Sequence, residues 1–154
     1  GVSNYLALIG PKGDSLSETI GYYGERLVLE AQMLGLNTCW VGLTYKKNPD
    51  VLQVADGEKI VGVISLGYGV TQGVGHKVKT IDKVTRVSGP MPDWFRRGAE
   101  FALLAPTAIN QQKFRIWLEN GQPCFKAGWG PYSMIDLGIV KYHFEIGSGR
   151  KVWI

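Results

Sequence analysis

Long apolar runs are missing from this sequence: no stretch approaches the roughly 18 residues that a bilayer-spanning helix needs. Cysteine is scarce, and Cys39 and Cys124 cannot build a disulfide framework. Histidine is as rare. His76 and His143 stand singly, as do the cysteines, so no paired metal-ligand spacing arises and no metal site is expected. Charge of one sign is also short: 17 basic against 13 acidic residues leaves +4. That bias suits an anionic ligand but is too small for a duplex-binding surface. No RNP-like aromatic motif accompanies the lysines, so neither nucleic acid nor membrane is an expected partner. No signal-peptide pattern opens the sequence, and a soluble, cytoplasmic protein is expected.

Glycine is the informative excess, with 21 of 154 residues against a usual share of roughly 7%. It goes where backbone turns tightly or approaches something closely. With 45% hydrophobic and 11% aromatic residues the chain can bury a core, and its length fits one domain, 1–154.

Residues 4–9 (NYLALI) read as a buried strand almost at once. A domain opening on a core strand is expected to lack an N-terminal segment, or to pair that strand with another chain. Ser15-Leu16-Ser17-Glu18 fits a capping box, and the helix it announces should end at Gly35. Its periodic face is Ile20, Tyr23, Leu27, Ala31 and Leu34, but Val28, Leu29 and Met33 lie off it. A helix apolar nearly all round is expected at the centre of the fold. Residues 36–43 (LNTCWVGL) and 60–66 (IVGVISL) read as strands, with a short polar helix opening at Asn48-Pro49-Asp50 between them. Residues 93–105 read as a helix stopped by Pro106, and Asn120-Gly121 as a hairpin turn. Ser133 is placed as the cap of a third helix running to about Ile146, and 150–154 as a closing strand. The two helix-glycine-strand units, at 35–41 and 147–154, form a weak internal echo. Helices and strands mix without clean alternation, which predicts α+β.

Several familiar chemistries fail. Ser65 in GVISLG sits one place too late for a nucleophile elbow. Gly67-Tyr68-Gly69 lacks the third glycine and the helix of a dinucleotide fingerprint, and Gly147-Ser148-Gly149 follows a helix instead of preceding one. Cys39 lies in an apolar segment where a buried thiol is expected. His143 reads as packed or hydrogen-bonded, and His76 as a loop residue. The basic stretch with Lys77, Lys79, Lys83 and Arg86 is either a solvated face or a phosphate-binding tongue. Residues 105–112 (APTAINQQ) break a helix into small and amide side chains. Such a run is an ordinary loop, or a place where a planar ligand meets backbone amides and donor–acceptor edges.

The run 104–112 resembles the A-P-S-x-x-N-x-Q-P-W segment of the nitroreductase-like FMN oxidoreductases. Residues 24–31 and 34–42 are similar to that family's central helix and flavin-facing loop. Leu66-Gly67-Tyr68-Gly69 with Lys77-Val78-Lys79 resembles its V-G-Y-P strand end and K-x-R phosphate contact. The amide segment follows the central helix here, as in a branch of the family where Ile135-Asp136-Leu137-Gly138-Ile139 recurs as a helix start. Thr107 stands for the usual Ser, Lys113-Phe114 for Pro-Trp and Lys79 for Arg, and the family's N-terminal R-x-S-x-R segment has no counterpart.

The resemblance implies a mixed sheet packed with helices around a buried central helix. It implies an FMN enzyme passing electrons from NAD(P)H to a nitroaromatic, quinone or similar acceptor, with the cofactor carrying the redox chemistry. Trp40, Val41 and Gly42 would lie against the ring. Pro106, Thr107, Ala108 and Asn110 would contact ring or ribityl groups, with Gln112 beside them, and Lys77 and Lys79 would hold the phosphate. The protein would also stabilise negative charge on the reduced ring. A homodimer, or an internal pseudo-dimer completed by a further N-terminal segment, is implied. The alternative is a module of the same fold that binds flavin or nucleotide without turnover.

Overall fold

A computed structural model describes residues 4–45 and 52–153. β1 (Tyr5–Pro11) leads into α1 (Leu16–Met33), followed by β2 (Asn37–Val41) and β3 (Glu58–Gly67). A long irregular stretch then reaches the one-turn α2 (Ile81–Val84), the two-residue β4 (Thr85–Arg86) and α3 (Asp93–Ala102). A 3-10 turn at Ala108–Asn110 precedes the hairpin of β5 (Phe114–Glu119) and β6 (Gln122–Ala127), and α4 (Ser133–Ser148) comes last. The strands form two three-stranded sheets. One, ordered β1-β3-β2, is antiparallel; the other, β4-β5-β6, is mixed because β4 runs parallel to β5. The α+β class holds, with the expected mixed sheet divided in two.

The helix at the centre is α4. Nine of its residues are buried, from Ile135 to Gly147, because it is largely apolar and is flanked by α1, α3 and β6. Phe144 is the hub of the core. Its ring meets Phe95 at 5.6 Å, Phe125 at 5.1 Å and Trp94 at 6.3 Å, all edge-to-face, and such pairs add about 0.5–1.5 kcal/mol each beyond burial.

α1 packs with a face that the periodicity indicated only at Ala31. Gly21, Tyr22, Gly24, Glu25 and Ala31 are buried, whereas Tyr23 is 52% and Leu27 45% exposed. The reason is a close crossing with α4, which only glycine-lined helices reach: a Cβ on Gly21 would overlap the Ile135 carbonyl. The helix ends as expected. Gly35 is left-handed (φ 78°), the Leu36 N–H bonds the Ala31 carbonyl at 2.9 Å, and the Gly35 N–H bonds that of Gln32 at 3.0 Å. The Asn120-Gly121 turn is also as expected, both residues having positive φ (51° and 74°).

Other expectations fail locally. Ser15 makes no side-chain cap bond, since its backbone is already helical (φ −81°, ψ −12°), and Glu18 turns to Lys141 of α4 instead of back to the cap. Ser133 is the first helical residue, not the cap; left-handed Tyr132 precedes it. β1 is an edge strand with only Leu8 and Gly10 buried. Cys39 is exposed, since Trp40 takes the face of β2 toward α1 and its neighbour must point away. The polar helix expected to open at Asn48-Pro49-Asp50 starts outside the described residues, and 52–57 is not helical. Of the basic stretch, Lys83 belongs to α2 and Arg86 to β4. Residues 151–153 form no strand, so the echo of helix, glycine and strand is not repeated there. Ile154 lies outside the described residues.

That last stretch is held by Glu145. Its carboxylate accepts bonds from the Tyr22 hydroxyl (2.9 Å), the Lys151 ammonium (2.9 Å) and the Val152 N–H (3.0 Å). Burial works against the charge, but these donors outweigh it and hold the carboxyl below its ordinary range. A depressed folded-state value contributes stability above the unfolded value, lost as pH falls through the folded one. Glu145→Gln is therefore expected to cost about 1 kcal/mol at neutral pH. The deficit should shrink in acid, as read from urea midpoints across pH. An equal deficit at all pH values would show that the charge contributes nothing.

Among the described residues no helix is long and apolar enough to cross a membrane.

Candidate cofactor-binding cleft

The end of β2 and the segment after α3 form facing walls of a cleft of about 550 Å³. Trp40, Val41 and Gly42 supply one wall, Pro106, Thr107, Ala108 and Ile109 the other, and Ile135, Asp136 and Ile139 of α4 the floor. Leu8 and Val61 of the first sheet and Tyr132 complete it. Six of the expected site residues thus come together: Trp40, Val41, Gly42, Pro106, Thr107 and Ala108. The lining is predominantly apolar, as a flat heteroaromatic ring requires, and its size is ordinary for a small-molecule site.

The other four, Lys77, Lys79, Asn110 and Gln112, lie outside the lining and make a hydrogen-bond knot that holds the wall. Gln112, 4% exposed, donates to the Lys77 carbonyl (2.8 Å) and to Asn110 Oδ1 (2.7 Å), and accepts from the Lys79 N–H (2.8 Å). Asn110 Nδ2 donates to the same Lys77 carbonyl at 2.9 Å. Lys79 Nζ donates to the carbonyls of Gln111 (2.8 Å) and Gln112 (2.9 Å). Thr107 Oγ1 accepts the Gln112 N–H at 3.0 Å. The amide side chains of this segment therefore brace backbone, and the lysine expected at a phosphate faces carbonyls.

The braced segment is strained. Ile109, Asn110 and Gln112 have φ of 48°, 53° and 45°, a left-handed conformation that is an outlier for β-branched isoleucine. Ile109 is nevertheless 88% exposed, at the rim of the cleft. Strain of this kind persists only where surrounding bonds over-determine it.

Three residues of the cleft or its support were not singled out from sequence. Asp136, in the first turn of α4, is buried and accepts the Ala108 N–H on Oδ1 (2.9 Å) and Gln111 Nε2 on Oδ2 (2.7 Å). Burial pushes its carboxyl above the ordinary range, against the two hydrogen bonds. Glu25, on α1, bonds the indole N–H of Trp40. Tyr132 lays its ring over Gly42, where a Cβ would come within 2.7 Å of Cζ. Acidic residues interrupting apolar helical runs were the available signal for the first two. The lining also differs from expectation in charge: among its described residues there is a carboxyl and no lysine or arginine. Stabilisation of negative charge on a ring is not something these side chains offer.

An apolar slot between a strand end and a braced amide segment is thus what this α+β arrangement offers a ligand. The family described as Putative TM nitroreductase matches residues 1–148, and the chain belongs to that family. The crystal structure of a putative nitroreductase from Thermotoga maritima is similar, at 25% identity and a TM-score of 0.71. The match covers 93% of this chain and 59% of that one, so the chain spans about three fifths of that relative's length. No curated protein matches.

Proposed function

We propose that the cleft binds the ring of FMN, and that the protein passes electrons from NAD(P)H to a nitroaromatic, quinone or similar acceptor. The observation that carries this reading is the meeting of residues 40–42 with residues 106–109 across one apolar slot. Trp40, Val41 and Gly42 would support one face of the ring, and Pro106, Thr107 and Ala108 would flank it. Lys77, an exposed residue beside the braced segment, would hold the phosphate, while Lys79 holds the carbonyls of residues 111 and 112. When bound, FMN supplies the relay between a two-electron donor and the acceptor. The chain's own part is to exclude water, to fix the ring against Trp40 and, through the hydrogen bonds of Asp136 to Ala108 and Gln111, to hold the facing wall in place. The reading includes a second copy of the chain, or a further segment standing in for one, against the exposed rim.

A binding module without turnover is the second reading. It is favoured by the commitment of Lys79 to the carbonyls of residues 111 and 112.

Titration of the purified chain with FMN and with riboflavin tests the site. FMN is expected to bind with quenched fluorescence. Lys77→Ala should weaken FMN at least about tenfold, one charge-assisted contact being worth about 1.5–3 kcal/mol, while leaving riboflavin unchanged. No binding of either flavin would defeat the proposal. NADH or NADPH oxidation on adding an acceptor separates enzyme from binder.

A further inference from the structure

Glu25 is the most deeply buried charged side chain in the described structure, at 1% exposure, and neither of its oxygens is idle. Oε2 accepts the indole N–H of Trp40 at 3.1 Å, and Oε1 lies 2.9 Å from His143 Nε2 on α4. The indole is constrained a second way: it lies across the bare Cα of Gly24, so closely that a Cβ there would overlap its Cη2 and sit 3.0 Å from Cζ2. The main chain of Trp40 is fixed a third way, by its place opposite Ile64 in the sheet. Trp40 is also one of the residues that line the cleft.

We propose that Glu25 and His143 are positioning residues that lock the rotation of the Trp40 indole and so set the shape of the slot. A carboxylate taken out of water costs several kcal/mol before its partners compensate. Mere adhesion between α1 and α4 would be served as well by apolar side chains, and the crossing at Gly21 and Gly138 already supplies it. What an apolar residue could not supply is an acceptor at a fixed point, facing the one polar atom of the indole. His143 holds that acceptor from the other side, leaving the carboxylate little freedom to rotate. Glu25 touches no ligand in this scheme and acts only through Trp40.

The affinity arm of the test rests on the flavin reading of the cleft; the spectroscopic arm does not. In ¹H–¹⁵N spectra of the full chain, the Trp40 indole resonance is identified by its loss in Trp40→Phe. Glu25→Gln, which keeps an acceptor but removes the charge, is expected to shift that resonance and speed its hydrogen exchange. In FMN titrations, Glu25→Ala should weaken binding about tenfold, or 1.4 kcal/mol. In the Trp40→Phe background the same substitution should have less than about a twofold effect, because coupled residues are not additive. If Glu25→Ala fails to fold, Glu25→Gln carries both arms. An unmoved indole resonance, or the same fold-loss in both backgrounds, overturns the proposal. If the wild-type chain binds no FMN, the flavin reading fails while the resonance still decides this one.

Discussion

Gly138→Ala is expected to destabilise the protein by about 3 kcal/mol, the upper end of what an added methyl costs in a packed interior. The reason lies in what the methyl would meet. At most buried positions it pushes against side chains that can rotate away. At Gly138 it would overlap the Glu18 carbonyl oxygen and sit 2.6 Å from the Tyr22 nitrogen, both main-chain atoms of α1. Gly21 faces it from the other helix, where a Cβ would lie 3.1 Å from the Gly138 Cα. Neither helix can yield locally, so the whole crossing must open. Opening it also stretches the pairs that bridge α1 and α4: Glu25 with His143, Tyr22 with Glu145, and Glu18 with Lys141. Gly13→Ala is the control. Nothing lies within 4 Å of a Cβ there, and its φ is not left-handed, so its urea midpoint should match the wild type. A Gly138→Ala midpoint equal to that of the control would mean the helices are further apart than described.

The same crossing explains why only Ala31 of the periodic face of α1 is buried. Hydrophobic spacing ranks Tyr23 and Leu27 above glycine and glutamate, but burial was decided by how near α4 could come. Signals carried by a few adjacent residues fared better. Gly35 stops a helix through its own φ, and Asn120-Gly121 makes a turn whatever surrounds it, so both were legible. The capping box at Ser15 was not, because Glu18 had a better partner far along the chain in Lys141. The cleft divides in the same manner. Residues 40–42 and 106–108 could be paired through the family's pattern, and they do face each other. The direction of the Lys79 ammonium could not be read, since a long side chain takes its partners from the folded surroundings. Nor could the burial of Asp136 or Glu25, because a lone acid in a helix ordinarily faces water.

Asp136→Ala is expected to cost about 2–4 kcal/mol and to abolish ligand binding in the cleft, since each buried donor left unpartnered costs about 1–3 kcal/mol. Two donors lose their acceptor: the Ala108 N–H and Gln111 Nε2. Gln111 keeps its bond to the Pro131 carbonyl at 2.8 Å, which limits its share; Ala108 has no such recourse in the structure. The cleft wall between them holds Ile109 and Asn110 at positive φ, and without the tie that strain is free to relax. Asp136→Asn separates the hydrogen bonds from the charge. Its amide oxygen can still accept from Ala108, but its nitrogen then opposes the Gln111 amide, so an intermediate loss is expected. The pH dependence gives the sign of the charge effect. Because burial raises the Asp136 carboxyl above its unfolded value, the folded state takes up its proton first. Stability relative to Asp136→Asn should then rise as pH falls through the raised value, opposite to the trend from Glu145. Urea midpoints of the three proteins across acidic pH, paired with FMN titrations at neutral pH, provide the measurement. Full binding by Asp136→Ala would show that the wall stands without this carboxyl.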